Sequence, residues 1–251
     1  MSNRVVLVTG ATSGIGVEIA RACSAQGASV AVTGRDSIRG KAVAAELGDS
    51  AEFVQLDVAQ EASWKNALDR VGERFGGIDV LVNNAGVMTP GGVEDTSLDL
   101  FQNTMMINAG GVLLGCQFAI ADMLSRNGRG AIVNVLSTTA LKTSAWTLSY
   151  GASKAAALSI TKSVALHCAE QNYDIRCNAV LPGVVLTPMV ESAVSATPDR
   201  EAALAQLESQ HPIGRMLDAQ EVANAVIYLA SDESTGVTGT YFAVDGGMTA
   251  A

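Results

Sequence analysis

The chain has 251 residues, and its 16 Lys and Arg against 25 Asp and Glu give a formal net charge of −9. With 48% hydrophobic residues, five prolines and 25 glycines that follow no fixed period, it is neither disordered nor collagen-like. The acidity also excludes the basic footprint of a nucleic-acid-binding protein. Only 4% of the residues are aromatic, so the core consists of aliphatic side chains, as in α/β proteins.

Short β-branched runs alternate with longer helical patterns along the chain. In chain order, strands are predicted at residues 5–9, 29–33, 53–56, 78–82, 131–136, 175–180 and 240–244. Helices are predicted at residues 14–26, 36–47, 60–75, 99–126, 149–171, 199–209 and 220–230. Such alternation forms βαβ units with right-handed crossovers. The sequence therefore predicts an α/β fold, a Rossmann-type doubly wound parallel seven-stranded sheet with helices on both faces.

Residues 100–121 carry no charge and form a stretch long enough to span a membrane. The stretch contains four side-chain amides, which favour a helix buried against the sheet or against a neighbouring subunit. These amides are Gln102, Asn103, Asn108 and Gln117. We therefore expect no membrane partner.

The cysteines form no C-x-x-C pair, and neither histidine stands at a metal-type spacing from them. They are Cys23, Cys116, Cys168 and Cys177. This pattern favours reduced, buried thiols and a cytoplasmic protein.

A glycine-rich loop follows the first predicted strand and opens the first predicted helix. Gly10, Gly14 and Gly16 have the spacing G-x-x-x-G-x-G, with Thr12, Ser13 and Ile15 between them. Glycine allows the backbone to turn sharply and to approach a pyrophosphate, and the free amides of the helix start attract phosphate. An ordinary strand–helix turn is the alternative. The position at the first turn of an α/β series favours a dinucleotide site.

The end of the second predicted strand indicates which dinucleotide is bound. NAD-selective folds carry an acidic residue at this position, whereas a nearby arginine accommodates the 2′-phosphate of NADP. Here Gly34 occupies the acidic position and Arg35 follows it. We interpret Asp36 as the N-cap of the next helix. The sequence therefore predicts NADP(H), with NAD(H) as the weaker alternative.

Several further motifs occur in a characteristic order, and together with the glycine loop they resemble the short-chain dehydrogenase/reductase family over essentially the whole chain. They are Asn83-Asn84-Ala85-Gly86, Asn108, Ser137, Tyr150-Gly151-Ala152-Ser153-Lys154, Pro182-Gly183 with Thr187, and Val244-Asp245-Gly246-Gly247. Residues 115–117 and 165–189 are most similar to bacterial secondary-alcohol and hydroxysteroid dehydrogenases.

The resemblance implies a catalytic tetrad of Asn108, Ser137, Tyr150 and Lys154. Tyr150 and Lys154 stand four residues apart and so share one helix face. A lysine ammonium close to the tyrosine would lower the tyrosine pKa, which lets Tyr150 act as general acid and base. Ser137 would hydrogen-bond the substrate oxygen, Lys154 would hold the nicotinamide ribose, and Asn108 would anchor a relay water.

The resemblance also extends the cofactor site beyond the glycine loop. The residues it implies are Gly34, Arg35, Asp57, Val58, Asn84, Ala85, Gly86, Tyr150, Lys154, Pro182, Gly183, Val185 and Thr187. A helix N-cap is a further role for Asp57, and sheet-end hydrogen bonding is one for Asn83.

The substrate side is formed, by the same resemblance, after the catalytic serine and after Pro182-Gly183. It contains Thr138, Leu141, Trp146, Val184 and Met189. These walls are mostly apolar and favour a hydrophobic ketone or secondary alcohol. The predicted function is an NADP(H)-dependent oxidoreductase for such substrates. A 3-oxoacyl-carrier-protein reductase and an NAD-dependent hydroxysteroid dehydrogenase are the alternatives, and a complete tetrad disfavours a non-catalytic dinucleotide sensor.

No linker or repeat divides the sequence, so residues 1–251 are expected to form a single catalytic domain with a substrate-binding loop at about residues 183–216. The family analogy implies a homotetramer that pairs through the two long helices. The tail at residues 248–251 offers no side-chain ligand, so no metal is expected. His167 and His211 are interpreted as surface or packing residues.

Overall fold

The computed structural model describes residues 1–126, 128–195 and 197–250, which form a seven-stranded parallel sheet in the order β3-β2-β1-β4-β5-β6-β7. The strands are β1 (Val5–Val8), β2 (Ser29–Gly34), β3 (Ala51–Gln55), β4 (Val80–Asn83), β5 (Arg129–Val135), β6 (Asp174–Pro182) and β7 (Tyr241–Val244). The helices are α1 (Ile15–Ala25), α2 (Ser37–Leu47), α3 (Glu61–Phe75), α4 (Leu98–Met105), α5 (Gly111–Arg126), α6 (Leu148–Glu170), α7 (Pro188–Ser195), α8 (Arg200–Ser209) and α9 (Ala219–Ala230). The predicted fold class is confirmed.

Two differences separate the prediction from the observed elements. The long helix predicted at residues 99–126 is divided into α4 and α5 by a π-helical segment, Met106–Gly110. The region predicted as an irregular loop contains the additional helix α7, which begins at Pro188. Proline is favoured at a first helical position because its missing N–H has no partner there in any case.

The sheet is covered on both faces, which explains why its strands are almost continuously apolar. On one face α3, α5 and α6 bury residues such as Trp64, Met123 and Leu158. On the other face α1, α2 and α9 bury residues such as Ile19 and Leu229. The two layers leave the carboxyl ends of the strands as the one edge from which the βα loops emerge.

The carboxyl ends of β1 and β4 are held together although the strands are far apart in sequence. The Thr9 hydroxyl oxygen accepts hydrogen bonds from the backbone amides of Asn84 and Ala85, each at 2.9 Å. The Asn84 amide group donates in return to the carbonyl oxygen of Thr9 at 3.0 Å. Here the chain order of the strands reverses, and doubly wound sheets bind ligands at such a switch point.

A buried polar network connects β4, β5 and α6 behind this edge. The Asn83 side-chain amide donates to Asn134 Oδ1 at 2.9 Å, and the Asn134 amide donates to Thr161 Oγ1 at the same distance. Asn83 therefore makes the sheet-end hydrogen bond that the sequence suggested. Because these groups are buried, each bond also removes the cost of an unpaired polar atom.

By length and composition, the segment Leu98–Arg126 could cross a membrane, but 44% of its most apolar window is buried within the chain. Core helices pass the same test. Met123 and Cys116 of this segment lie in the core, and Leu113 and Leu124 are exposed. Some apolar side chains of this segment therefore lie in the core, and others are exposed on its outer face. The four cysteines are buried and free, as expected.

We predict that Gly115→Ala lowers the free energy of unfolding by about 1–3 kcal/mol, the usual cost of overpacking. A Cβ atom at Gly115 would lie 2.3 Å from Asn83 Oδ1 and would displace the Asn83–Asn134 pair. The control is Gly72→Ala in α3, where no atom lies within 4 Å of the added Cβ. Gly72→Ala should raise the free energy of unfolding by about 0.5–1 kcal/mol, because alanine is a better helix former than glycine. Urea unfolding of both variants measures the difference, and equal effects would contradict the prediction.

Candidate active site

The glycine loop between β1 and α1 can be built only from glycine at its critical positions. Gly10 and Gly14 have φ angles of 66° and 56°, in the left-handed region that other residues avoid. A Cβ atom on Gly10 would lie 2.8 Å from Ala85 Cα, and one on Gly16 would lie 2.4 Å from the carbonyl oxygen of Gly10. Gly14 is also the N-cap of α1 and has no side chain to cap the amides of Ile15 and Gly16, whereas the Val17 amide donates to the carbonyl oxygen of Gly14 at 3.1 Å. A helix start of this kind can bind an anion.

A cleft of about 350 Å³ opens at the β1–β4 switch point. It brings together many residues that the sequence assigned to the cofactor or substrate. These are Gly10, Thr12, Ser13, Gly14, Ile15, Gly34, Arg35, Asp57, Val58, Asn84, Ala85, Gly86, Tyr150, Lys154, Thr187 and Met189.

The remaining candidates lie behind or beside the cleft walls. Gly16 packs beneath the glycine loop, Asn108 is fully buried, and Ser137 and Thr138 are buried at the end of β5. Pro182, Gly183, Val184 and Val185 form the backing of the loop after β6 rather than the cleft wall. Leu141 and Trp146 are exposed outside the cleft.

Sequence reasoning missed several cleft residues. They are Asp36, Leu56, Val87, Ile107, Val135, Leu136 and Pro188. Leu56, Val135 and Leu136 lie at strand ends, so their position in the predicted sheet was a usable signal. Ile107 carried none, because only the π-helical turn shows which side chains of that segment face the cleft.

The end of β2 separates the roles of Arg35 and Asp36. Asp36 is the N-cap of α2, since its Oδ1 accepts from the amides of Ile38 and Arg39 at 3.1 and 3.0 Å, as predicted. Its Oδ2 lies 3.1 Å from the Arg39 guanidinium. Arg35 is exposed at the cleft, and no ion pair involves it within residues 1–126, 128–195 and 197–250. The arginine is therefore available to an anionic ligand, whereas the carboxylate is occupied.

Asp57 lies at the other wall, after β3. Its Oδ1 accepts from the amide of Ala59 at 3.1 Å and closes the turn before α3. Gln60, not Asp57, is the N-cap of that helix, so the N-cap role suggested for Asp57 was wrong. The turn nevertheless fixes the carboxylate at the rim of the cleft.

Tyr150, Lys154 and Ser137 converge at one end of the cleft. Tyr150 and Lys154 share a face of α6, and the lysine Nζ lies 5.5 Å from the centre of the tyrosine ring. Lys154 Nζ also donates to the carbonyl oxygen of Val135, at 3.2 Å, at the end of β5. Ser137 follows β5, and its side chain lies close enough to the Tyr150 hydroxyl to lower the pKa of that phenol. A strand end and a helix face thus fix the three side chains relative to one another.

Asn108 completes this group from the π-helical segment. Its Oδ1 accepts from the amide of Val87 at 2.8 Å, and its Nδ2 donates to the carbonyl oxygen of Val87 at 2.9 Å and to Ser153 Oγ at 3.0 Å. A Cβ atom on Gly86 would lie 3.2 Å from Asn108 Oδ1 and 3.5 Å from Lys154 Nζ. The glycine therefore leaves the space in which the asparagine and the lysine approach each other.

Burial shifts both titrating groups away from their charged forms. It raises the pKa of Tyr150, and the hydrogen bond with Ser137 opposes that rise. It lowers the pKa of Lys154 to about 8. The pKa of Tyr150 is therefore raised, opposite to the direction expected from a neighbouring lysine, because burial is the largest cause of the shift. At neutral pH Tyr150 carries its proton and can donate it.

Comparison with known proteins places this geometry in a family. A sequence model described as enoyl-(acyl carrier protein) reductase matches residues 10–249. A 3-alpha-(or 20-beta)-hydroxysteroid dehydrogenase of Mycobacterium tuberculosis is 40% identical over 98% of this chain and 90% of its own length. The chain belongs to the short-chain dehydrogenase/reductase family.

Other relatives of this short-chain dehydrogenase/reductase are equally complete matches. An NADP-dependent (R)-specific alcohol dehydrogenase of Lentilactobacillus kefiri is 36% identical and covers the whole chain and 98% of its own length. A 3-beta-hydroxysteroid dehydrogenase of Comamonas testosteroni is also 36% identical, over 98% of this chain and 95% of its own length. The protein is therefore an oxidoreductase that acts on CH–OH groups, and its family uses NAD(P).

The residues present fit such a dinucleotide. At Gly10 and Gly16 the cradle excludes a Cβ atom, and the uncapped start of α1 points its amides at the cleft. The titratable side chains of Tyr150 and Lys154 line the same cleft. The site can thus hold an extended, anionic cofactor beside a proton donor.

We predict that Lys154→Met stabilises the ligand-free dehydrogenase at pH 7 by roughly 1–3 kcal/mol. A pKa lowered from 10.5 to about 8 corresponds to about 3 kcal/mol of burial penalty, of which the lost bond to Val135 removes about 1 kcal/mol. Because the folded state binds its proton less tightly than the unfolded chain, the penalty is complete below pH 8. It disappears as the pH rises towards 10.5.

The measurement is urea unfolding of wild type and variant between pH 7 and pH 10.5. Lys162→Met, an exposed position on the same helix, is the control and should change stability by less than about 0.5 kcal/mol at every pH. A Lys154→Met protein that is less stable than wild type at pH 7 would contradict the prediction.

Proposed function

We propose that this short-chain dehydrogenase/reductase interconverts a hydrophobic ketone and a secondary alcohol with NADP(H), using Tyr150 as general acid and base. One observation carries the proposal. A single cleft is lined by Arg35 and the glycine loop and also by Tyr150 and Lys154, with Ser137 buried beside Tyr150.

The side chains divide the proton chemistry in the reduction direction. The neutral Tyr150 hydroxyl donates its proton to the ketone oxygen, and Ser137, whose side chain lowers the pKa of Tyr150, hydrogen-bonds the same oxygen. In the protonated form Lys154 stabilises the tyrosinate that results, because the two groups share one buried end of the cleft. The nicotinamide, when bound, supplies or accepts the hydride.

In the side chain of Asn108, only Oδ1 can accept a further hydrogen bond, from a water that would relay protons. Both N–H groups of its amide are engaged, with the Val87 carbonyl and with Ser153, and Oδ1 already accepts from the Val87 amide. A relay water at Asn108 would therefore donate to the second lone pair of Oδ1. Gly86 provides the space in front of this oxygen and of Lys154.

The proposed substrate class follows from the rim of the cleft. Met189 lines it, and Leu186, three residues earlier, is exposed. Leu141 and Trp146, which stand between Ser137 and Tyr150 in sequence, are exposed outside the cleft. The relatives are named for hydroxysteroids and for an (R)-specific alcohol, which supports the same class. Side-by-side turnover of a cyclic ketone, a 3-ketosteroid and an acetoacetyl thioester tests it. Preferred turnover of the thioester would favour the carrier-protein reductase alternative.

We predict that Tyr150→Phe lowers kcat by at least about 100-fold, because it removes the proton donor of the reaction. The dissociation constant for NADPH, measured by fluorescence titration, should stay within about threefold of wild type, because the aromatic ring is retained. Tyr228→Phe is the control, since Tyr228 stacks on Phe242 and does not line the cleft. Retained turnover in Tyr150→Phe would exclude the proposed role.

We predict that Arg35→Ala weakens NADPH binding about 10- to 100-fold and leaves NADH binding unchanged, because only NADPH offers the 2′-phosphate. Arg70→Ala, which removes an exposed arginine outside the cleft, is the matched control. Equal losses for both nucleotides would contradict NADP selectivity.

The reverse change needs two substitutions. A Cβ atom at Gly34 would lie 2.7 Å from Thr12 Cγ2, so Gly34→Asp should be combined with Thr12→Ser, which removes that methyl group. The double variant should shift the preference towards NADH in the same titrations.

We also propose that the chain works as one metal-free catalytic domain in the cytoplasm, without nucleic-acid or membrane partners, and as a homotetramer. The shared face of α5 and α6 supports the assembly. It carries an apolar groove with Leu113, Ile120, Ile160 and Val164, and Leu166 is exposed beside it. A second copy of the chain would cover this face, and light scattering at the assay concentration measures the assembly. A monomer would exclude it.

A further inference from the structure

His211 is neither a surface residue nor an ordinary packing residue. It follows α8, is 2% exposed, and both of its ring nitrogens are engaged. Nε2 accepts a hydrogen bond from the backbone amide of Val184 at 3.0 Å, and Nδ1 lies 3.0 Å from the carbonyl oxygen of Leu207. These partners assign the neutral tautomer with the proton on Nδ1, which donates to Leu207.

The accepted amide belongs to the segment that follows β6, residues 183–187, which we name the β6 loop. Both backbone groups of Val184 are engaged, since its carbonyl oxygen accepts from the amide of Leu217 at 3.0 Å. The amide of Gly183 donates to the carbonyl oxygen of Val244 at 2.9 Å. Two of these three anchors are backbone groups, those of Val244 in β7 and of Leu217 shortly before α9, and the third is the imidazole of His211.

The β6 loop fits closely around the imidazole. A Cβ atom on Gly183 would lie 2.8 Å from His211 Nε2 and 3.0 Å from Asp245 Cα, so the backbone can lie against the ring only at a glycine. The far end of the loop reaches the cofactor cradle, because Thr187 Cγ2 lies 3.3 Å from where a Cβ of Gly14 would stand. Thr187 also lines the cleft.

We propose that His211 is a positioning residue that holds the β6 loop, and through it Thr187, against the bound dinucleotide. The proposal rests on the proposed function, which makes this cleft, lined by Thr187, the dinucleotide site. The imidazole is a buried acceptor for an amide that would otherwise be unpaired, and loss of the acceptor frees the loop to move. His211 thereby connects the region of α7 and α8 with the cofactor site.

Two substitutions separate the acceptor from the rest of the ring. The side-chain oxygen of His211→Gln can occupy the position of Nε2 and accept from Val184. The shorter side chain of His211→Asn reaches only the position of Nδ1 and can keep the contact with Leu207. Both variants remain polar, and each keeps one of the two ring contacts, so that only His211→Gln keeps the bond to the β6 loop. Thr161→Val, which removes a buried hydroxyl behind the sheet, is the control for a general loss of stability.

The dissociation constant for NADPH is measured by fluorescence titration, and amide exchange of residues 183–187 is followed by mass spectrometry. His211→Gln should bind NADPH within about threefold of wild type, and His211→Asn about tenfold more weakly with faster exchange in the β6 loop. Thr161→Val should bind like wild type.

Equal affinities of the Gln and Asn variants, whether both near wild type or both weakened, would overturn the positioning role. So would a weakened Thr161→Val, because it would trace the effect to stability alone. Failure of the proposed function gives a different result, in which the wild-type protein itself does not bind the dinucleotide.

Discussion

The close contact between the ends of β1 and β4 is the constraint on which the site depends. One hydroxyl group, that of Thr9, accepts from two successive backbone amides after β4 and so fixes two loops that are distant in sequence. At this separation a Cβ atom on Gly10 would collide with Ala85. The glycines are therefore required by the packing of protein against protein before any ligand is considered. The cleft exists because the chain leaves β1 and β4 towards opposite faces of the sheet.

The burial of Lys154 beside Tyr150 lowers the stability of the folded protein. Lys154 is almost fully buried, and burial alone lowers its pKa to about 8. A lysine in such a place gains one hydrogen bond, to Val135, for the hydration that it loses. The surrounding sheet, apolar on both faces, supplies the stability that tolerates this cost. The arrangement keeps Tyr150 protonated at neutral pH and holds a cation close enough to stabilise it once the proton has left.

Much of the fold was predictable because strand and helix periods differ, and parallel βαβ connections allow few topologies. The role of Asp36 as an N-cap could also be predicted from the sequence, since capping depends on local sequence. The direction of the Tyr150 pKa shift could not be predicted, because it depends on burial and burial depends on tertiary packing. The π-helical turn that carries Asn108 likewise has no periodic signature, although it decides that Ile107 faces the cleft. Helix α7 was hidden because Pro182-Gly183 and Pro188 resemble loop residues.

The polar side chains of this region divide into two groups by what they bind. The side chains of Thr9, Asn108 and His211 accept hydrogen bonds from backbone amides of neighbouring loops. Arg35 and Tyr150 line the cleft, and neither binds the backbone of these loops. Since a bond to the protein backbone removes a group from competition for a ligand, the first group sets the shape of the cleft, and the second group faces the cleft, where a ligand can reach it. A substitution in the first group therefore acts on affinity and catalysis through loop position, at a distance from the reacting atoms.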